Sequence, residues 1–135
     1  SETFADLSTA ATGAHIHCCV PIGSNAGIAI PFTMFPFVTS GTFAFTFDLL
    51  QSSTYTAGFM AASGGSVIGA RDTLVNGLAA GQAYANIHDA AFPGGEIRGQ
   101  LAAVPEPASW VVMLSGFGVV GGAMRGRRKR AVSFG

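Results

Sequence analysis

The three histidines of this chain are spaced so that they could bind one metal ion together. His15 and His17 lie two residues apart in residues 14–18, where polar and apolar side chains alternate. On a β-strand, residues two apart point to the same face of the sheet, so both imidazoles could reach one metal ion. With His88 they would supply three nitrogen donors, a set that suits Cu or Zn with one open coordination position.

A structural role is the alternative that we favour for these histidines. In this interpretation they form hydrogen bonds with Asn86, with Glu96 and with backbone groups at the polar rim of a sheet. Glu96 and Arg98 would share one strand face and form an ion pair, which contributes under about 1 kcal/mol if exposed. The sequence thus predicts a structural polar cluster of Asn86, Glu96 and Arg98, with no cofactor unless Cu or Zn is bound.

Cys18 and Cys19 are adjacent and, on a strand, would point to opposite faces of the sheet. A disulfide between neighbours demands a close approach of the two Cβ atoms. We therefore predict that Cys18 is a small core residue and that Cys19 is a free thiol near the histidines. Two alternatives stay open: Cys19 as a metal ligand, and pairing of one cysteine with a partner upstream of Ser1.

Other kinds of chemistry find little support in the sequence. No nucleophile–base pair, glycine-rich phosphate loop or carboxylate dyad stands out, so we predict a protein that is not an enzyme. Only 10% of the residues are charged, against about 25% in typical soluble domains. Upstream of Val104, six acidic residues face two basic ones, a net charge of −4 with histidine neutral, which argues against nucleic acid as a partner.

The elements that position the histidines are predicted to be mostly strands. Strands are expected at residues 3–7, 14–18, 42–49, 82–88 and 96–101, with a short edge strand and an irregular crossing in 28–38. One or two short helices are expected at residues 56–62 and 66–80, with Ser66 as the N-cap and Gly81 as the stop. The predicted fold is mainly β, a small antiparallel β-sandwich or partly open barrel.

Residues 42–49 show the clearest strand pattern in the chain. Phe43, Phe45, Phe47 and Leu49 alternate with smaller or polar residues and are expected to face the core. On this basis Phe45→Ala should lower the free energy of unfolding by roughly 3–5 kcal/mol.

The last two predicted strands have matching polar faces and are expected to form a hairpin. The predicted pairs are His88 with Glu96, Asn86 with Arg98, and Tyr84 with Gln100. This register would place Ile87, Ile97 and Leu101 inward.

Residues 108–124 carry no charge and, as a helix of about 25 Å, could cross a bilayer core. Trp110 lies where an interfacial aromatic anchor is expected, and a basic cluster follows at residues 125–130. The sequence predicts a single C-terminal transmembrane helix that leaves residues 1–104 outside the cytoplasm.

Residues 104–130 resemble the PEP-CTERM sorting signal of Gram-negative bacteria. The resemblance rests on an apolar span between a proline motif and a basic cluster: Pro105, Glu106, Pro107, Arg125, Arg127, Arg128, Lys129 and Arg130. It implies that an exosortase, a transpeptidase-like membrane enzyme, cleaves near the proline motif. The product would go to the cell surface or an extracellular polymer matrix, and residues 131–135 would be a short tail.

Residues 1–103 resemble a CHRD (chordin-type) domain through three segments, 14–17, 84–88 and 92–101. The resemblance implies a β-rich domain of the exported proteins of bacteria, with no catalytic residues to carry over. Such domains begin several strands before the His-x-His motif. The chain also lacks an initiator Met and a visible signal peptide. We therefore expect that Ser1 is not the natural start and that the domain is N-terminally truncated.

Together these features predict an exported bacterial surface or matrix-associated protein without enzymatic activity. It would be anchored in the inner membrane by its C-terminal helix before processing, with an exosortase and an exopolysaccharide or other matrix component as partners. The alternative is a small secreted Cu- or Zn-binding protein. A His-x-His strand with a later histidine is loosely similar to Cu,Zn superoxide dismutase, in which case Arg98 would guide an anion.

Overall fold

The computed structural model describes residues 1–101, which contain six strands and two α-helices. The strands are β1 (Glu2–Phe4), β2 (Ala11–His17), β3 (Ile28–Pro31), β4 (Gly41–Phe43), β5 (Ala83–Asp89) and β6 (Ile97–Leu101). The helices are α1 (Ala57–Ala62) and α2 (Val67–Ala79), and a 3-10 turn at Ser52–Thr54 precedes them. The mainly β fold with short helices, predicted from the sequence, is confirmed.

The strands form two antiparallel sheets and do not close into a barrel. β1 pairs with β4 in a two-stranded sheet, and the other sheet has four strands in the order β3-β2-β5-β6. β3 is an edge strand, as its proline-bounded sequence predicts. The two strands that carry the histidines, β2 and β5, are the central neighbours of the larger sheet.

The four-stranded sheet has one apolar face and one polar face, because side chains alternate along its strands. We call the first the apolar face: Ala14, Ile16, Ile30, Ala83, Ala85, Ile87 and Leu101. We call the second the histidine face: His15, His17, Tyr84, Asn86, His88, Arg98 and Gln100. The apolar face packs in part against helix residues Phe59, Ala70 and Leu74, and in part against the aromatic side chains of Phe4, Phe35 and Phe43.

Both helices begin at hydroxyl residues, and one of these, Ser66, is the N-cap that the sequence predicts. The hydroxyl of Thr56 accepts a hydrogen bond from the backbone N–H of Phe59, and Ser66 accepts one from Gly69. These bonds satisfy backbone donors that the first helical turn leaves free. α2 buries Leu74 against the sheet and is followed by Gly81 with a φ of +66°.

The predictions for the two cysteines are wrong in one respect. Cys18 is buried as expected, but Cys19 is not a free thiol, because a disulfide joins the two residues. β2 ends at His17, so the cysteines do not follow the strand alternation that would separate their side chains. Both sulfur atoms lie against α2 at Gly77, where a Cβ would collide with them.

The strand predicted at residues 42–49 is much shorter in the structure. β4 ends at Phe43, since β1, its partner, pairs with it over three residues. Phe43 is 9% exposed, but Phe45 is 48% exposed, so the prediction of a core Phe45 is wrong. Its ring lines an open apolar cleft of about 220 Å³ instead, together with Phe32, Phe43 and Phe47.

The hairpin register is confirmed at two of the three predicted pairs. Asn86 lies opposite Arg98 and Tyr84 lies opposite Gln100. Glu96 precedes β6, so it is not paired with His88, and its backbone N–H donates to the carbonyl of Ile87.

Two of the three side chains predicted to face inward from this hairpin do so. Ile87 is 4% exposed and Leu101 packs on the core. Ile97, however, is 38% exposed, because β6 is an edge strand with a neighbour on one side only.

The predicted sorting signal lies outside the described residues. This applies to the proline motif at 105–107, the apolar span at 108–124, the basic cluster at 125–130 and the tail at 131–135. Within residues 1–101, neither helix has the length and hydropathy needed to cross a membrane. The described residues belong to one compact unit, Ser1–Ala103.

Candidate functional site

The structure brings the three histidines together on the histidine face of the four-stranded sheet. One ring nitrogen from each of His15, His17 and His88 lies within 4.8 Å of the others. The ring centroids of His15 and His88 are 5.0 Å apart, and those of His17 and His88 are 6.1 Å apart. They converge because β2 and β5 are antiparallel neighbours in which Gly13 lies opposite His88 and His15 lies opposite Asn86.

Two backbone carbonyls orient the imidazoles of His17 and His88. Nδ1 of His17 lies 2.9 Å from the carbonyl oxygen of Ala26, and Nδ1 of His88 lies 2.9 Å from that of Pro93. A carbonyl oxygen only accepts, so in each pair Nδ1 carries the hydrogen and donates it. In the neutral ring, Nε2 then holds a free lone pair.

Each histidine keeps one buried nitrogen without a hydrogen-bond partner. These atoms are Nδ1 of His15, Nε2 of His17 and Nε2 of His88. A buried polar atom without a partner carries a desolvation cost, and such atoms are rare in folded proteins. Three of them in one small cluster are therefore a specific feature of this site.

The environment of His15 and His17 favours their neutral forms. Burial lowers the pKa of His15, and the nearby His88 and His17 lower it further because like charges would repel. Burial also lowers the pKa of His17, and its hydrogen bond to Ala26 offsets part of this effect, while His88 and Arg98 add to it. Neutral imidazole is the form that binds metal ions.

An aromatic and cationic stack supports His17 from the side of β5 and β6. The rings of His17 and Tyr84 are stacked with centroids 4.8 Å apart, and the Arg98 guanidinium lies 3.9 Å from the centroid of Tyr84. Arg98 also donates hydrogen bonds to the carbonyl of Ser24 and to Oδ1 of Asn25. Arg98 thus holds residues 21–27 over the histidine face.

Tyr84 contributes to the same loop attachment through its hydroxyl. The hydroxyl oxygen accepts a hydrogen bond of 3.0 Å from the backbone N–H of Ala26. Ala26 therefore binds Tyr84 through its N–H and His17 through its carbonyl. This double attachment fixes the carbonyl that orients the His17 imidazole.

The three residues of the predicted polar cluster do not interact with one another as expected. Nδ2 of Asn86 donates to the carbonyl of Gly94, and the Glu96 carboxylate accepts hydrogen bonds from the backbone and hydroxyl of Ser8. The predicted ion pair of Glu96 with Arg98 is therefore wrong, and within residues 1–101 the observed ion pair joins Arg71 to Asp72. Glu96 precedes β6, so strand alternation does not place its carboxylate on the same face of the sheet as Arg98.

Sequence reasoning missed Asp89, which organises the loop beside His88. Asp89 is 1% exposed, and its carboxylate accepts hydrogen bonds from the backbone and hydroxyl of Thr9 and from the backbone N–H of Phe92. Burial alone would raise the pKa of Asp89, but these hydrogen bonds outweigh it and hold the pKa below its usual range. The position of Asp89 before a turn could have indicated this role, since the side chain of such an aspartate often accepts hydrogen bonds from backbone N–H groups a few residues later in the chain.

Comparisons with known proteins match two parts of the chain. Residues 1–101 match the model of the CHRD domain, and residues 103–129 match that of the PEP-CTERM protein-sorting motif. The first match covers all three histidines. No curated protein and no solved structure matches the chain.

Proposed function

Because the chain belongs to the CHRD domain family and carries a PEP-CTERM sorting motif, we propose that it is an exported surface protein processed by an exosortase. The observation that carries this proposal is the motif at residues 103–129, directly after the domain. A sorting signal of this kind has meaning only for a protein that leaves the cytoplasm.

The order of features along the chain gives each part of the signal a role. The uncharged residues 108–124 span the inner membrane of a Gram-negative bacterium, and the basic residues 125–130 stay on the cytoplasmic side. The domain then lies outside, with residues 105–107 next to the membrane, where a membrane-embedded exosortase has access. Cleavage near this motif releases the domain to the cell surface or to an exopolysaccharide matrix.

We further propose that the domain acts without catalysing a reaction. Two hydroxyl groups that could serve as nucleophiles are engaged in structural hydrogen bonds: Ser8 donates to Glu96 and Thr9 donates to Asp89. These bonds tie the segment after β1 to the connection between β5 and β6. These polar groups thus hold the domain together, which suits a binding or matrix protein.

Replacement of the basic cluster tests the sorting proposal. Substituting glutamine for Arg127, Arg128, Lys129 and Arg130 removes four of the five positive charges that hold one end of the span in the cytoplasm. In a Gram-negative host with an exosortase, we expect the shortened surface form to decrease at least about tenfold, as judged by immunoblots of membrane and medium fractions. Arg71→Gln, which removes an exposed charge within the domain, is the matched control and should be processed normally. Unchanged release of the shortened protein from the quadruple variant would contradict the proposal.

A further inference from the structure

We propose that His15, His17 and His88 form a binding site for a divalent transition metal ion, Zn²⁺ or Cu²⁺. The site lies on the histidine face and is independent of the sorting signal. Three observations carry the proposal: the nitrogens that lack a partner, the carbonyls that orient the rings, and the distances between the donor atoms.

The unpartnered nitrogens distinguish this cluster from a structural one. Histidines that only stabilise a fold use their buried nitrogens in hydrogen bonds, because an unsatisfied buried polar atom costs free energy. Here one nitrogen of each histidine is buried and has no hydrogen-bond partner: Nδ1 of His15, Nε2 of His17 and Nε2 of His88. A metal ion satisfies all three lone pairs at once.

The hydrogen bonds of the opposite ring nitrogens match those that metal-bound histidines usually make. Metal-bound histidines commonly donate their other N–H to a carbonyl or carboxylate, which fixes the tautomer and the ring orientation. His17 does so to Ala26 and His88 does so to Pro93, each at 2.9 Å. The loops that cover the histidine face therefore present both Nε2 atoms as lone-pair donors.

The distances fit a site that tightens around an ion. One ring nitrogen from each histidine lies within 4.8 Å of the other two, whereas ligands about 2.0–2.1 Å from one ion in tetrahedral geometry are about 3.3 Å apart. Small rotations of the imidazoles would close this gap. Three neutral nitrogens leave one position for water, an arrangement that Zn²⁺ and Cu²⁺ both accept.

Metal retention by the full chain, solubilised in detergent, tests the site. The chain has three histidines, all of them in the cluster, so a purification tag without histidine leaves no other imidazole in the sample. After treatment with a chelator, the protein is loaded with Zn²⁺ or Cu²⁺ without reductant, which keeps Cys18 and Cys19 joined. We expect one ion per chain after dialysis, and nitrogen hyperfine structure from three imidazoles in the EPR spectrum of the Cu²⁺ form.

Phenylalanine variants identify the ligands with little change in shape. His15→Phe is the sharpest, because Nδ1 of His15 has no hydrogen bond to lose, and His17→Phe keeps an aromatic ring against Tyr84. Each variant, and His88→Phe, should bind the ion at least about 10–100-fold more weakly, since loss of even a group that only hydrogen-bonds a metal-bound histidine has effects of this size. Gln100→Ala alters the same face away from the cluster and should retain the ion.

Each outcome of these measurements decides the proposal. Loss of the ion in the three histidine variants, with circular dichroism like that of the parent protein, supports it. A folded parent protein that retains no ion overturns it, as does an ion that stays bound in all three variants. If the variants do not fold, the EPR spectrum of the parent protein decides, and fewer than three coordinated nitrogens overturns the site.

Discussion

The two faces of the four-stranded sheet are built on the same strands but differ in what covers them. The apolar face is covered in part by α1 and α2 and in part by aromatic side chains. The histidine face is covered by residues 21–27, through Ala26, and by the loop after β5, through Pro93. One face thus has close apolar packing, and the other has polar groups held by backbone atoms of loops.

This difference in what covers the two faces explains how β2 and β5 can contribute both to the hydrophobic core and to the histidine cluster. Helix side chains fill the space over apolar residues and exclude water. Loops bring carbonyl and N–H groups, which can satisfy one nitrogen of an imidazole and leave the other free. In β2, Ile16 lies between His15 and His17 in the sequence, and its side chain is on the apolar face while theirs are on the histidine face.

The largest expected effect lies on the apolar face, at Ile30. This side chain is 1% exposed and packs in the cluster that joins the sheet to the helices. Ile30→Ala should lower the free energy of unfolding by about 2–5 kcal/mol, because it removes buried methyl groups and leaves a cavity. Urea unfolding followed by circular dichroism would measure this.

Phe45→Ala is the control for Ile30→Ala, because it removes more atoms from a side chain that is 48% exposed. Its expected cost is under about 1.5 kcal/mol, well below the 3–5 kcal/mol typical of a fully packed aromatic. If Phe45→Ala proved as costly as Ile30→Ala, the assignment of these two residues to cleft and core would be wrong.

The next effect concerns a glycine in the loop that covers the histidine face. Gly95 has a φ of +106°, and a Cβ there would collide with the side-chain amide of Asn86. Gly95→Ala should therefore lower stability by about 1–3 kcal/mol, the usual range for a residue forced into a disfavoured backbone region. The melting temperature and the amount of metal retained should both decrease, since Pro93 in the same loop orients His88.

Gly94→Ala provides the matched control for this loop. A Cβ at Gly94 meets no atom within 4 Å. This substitution should leave stability unchanged or raise it by up to about 1 kcal/mol, because alanine restricts the unfolded chain. Equal losses in both variants would mean that the contact with Asn86 is not what fixes the loop.

The smallest expected effect is the pH dependence of the metal-free protein. Burial lowers the pKa of His15 and His17 in the folded state below the ordinary histidine value of about 6.5. As the pH falls below about 6.5, the unfolded chain therefore binds more protons than the folded chain does, and the free energy of unfolding decreases. The stabilisation is complete above about pH 6.5 and is lost as the pH falls through the lower pKa values of the folded state.

Urea midpoints measured in chelator at pH 7.5 and pH 5 would show this decrease. In His15→Phe the decrease should be smaller, because one of the two shifted groups is absent. Ile30→Ala, on the apolar face, should change the midpoint at both pH values without changing their difference. A midpoint that rises toward pH 5 would contradict the assignment of neutral imidazoles.

Several elements were predictable because their signals are local. The alternation in residues 14–18 predicts which residues of β2 share a face, and the hydroxyl cap Ser66 predicts where α2 begins. The matched polar faces of the last two strands predict the pairs of Asn86 with Arg98 and of Tyr84 with Gln100. In each case, the information lies within a few residues or in the parity of a strand.

Phe45 and Cys19 show where local signals fail. Phe45 has the alternation of a buried strand, but a strand continues only where a partner pairs with it, and β1 ends its pairing with β4 at Phe43. Cys19 follows a strand in sequence, but the strand stops at His17 and the chain turns toward α2. The end of pairing and the direction of the chain depend on distant residues.

The sequence by itself determined the alternation of β2, the sharing of a face by His15 and His17, the family resemblance and the sorting motif. Each depends on residue types at fixed short spacings. Only the tertiary structure decided that β5 lies beside β2 and brings His88 to the same cluster. It also decided that carbonyls of two loops bind one nitrogen of His17 and of His88 and leave the other without a partner. Strand neighbours and loop paths arise from packing of the whole chain, because residues far apart in sequence compete for the same partners.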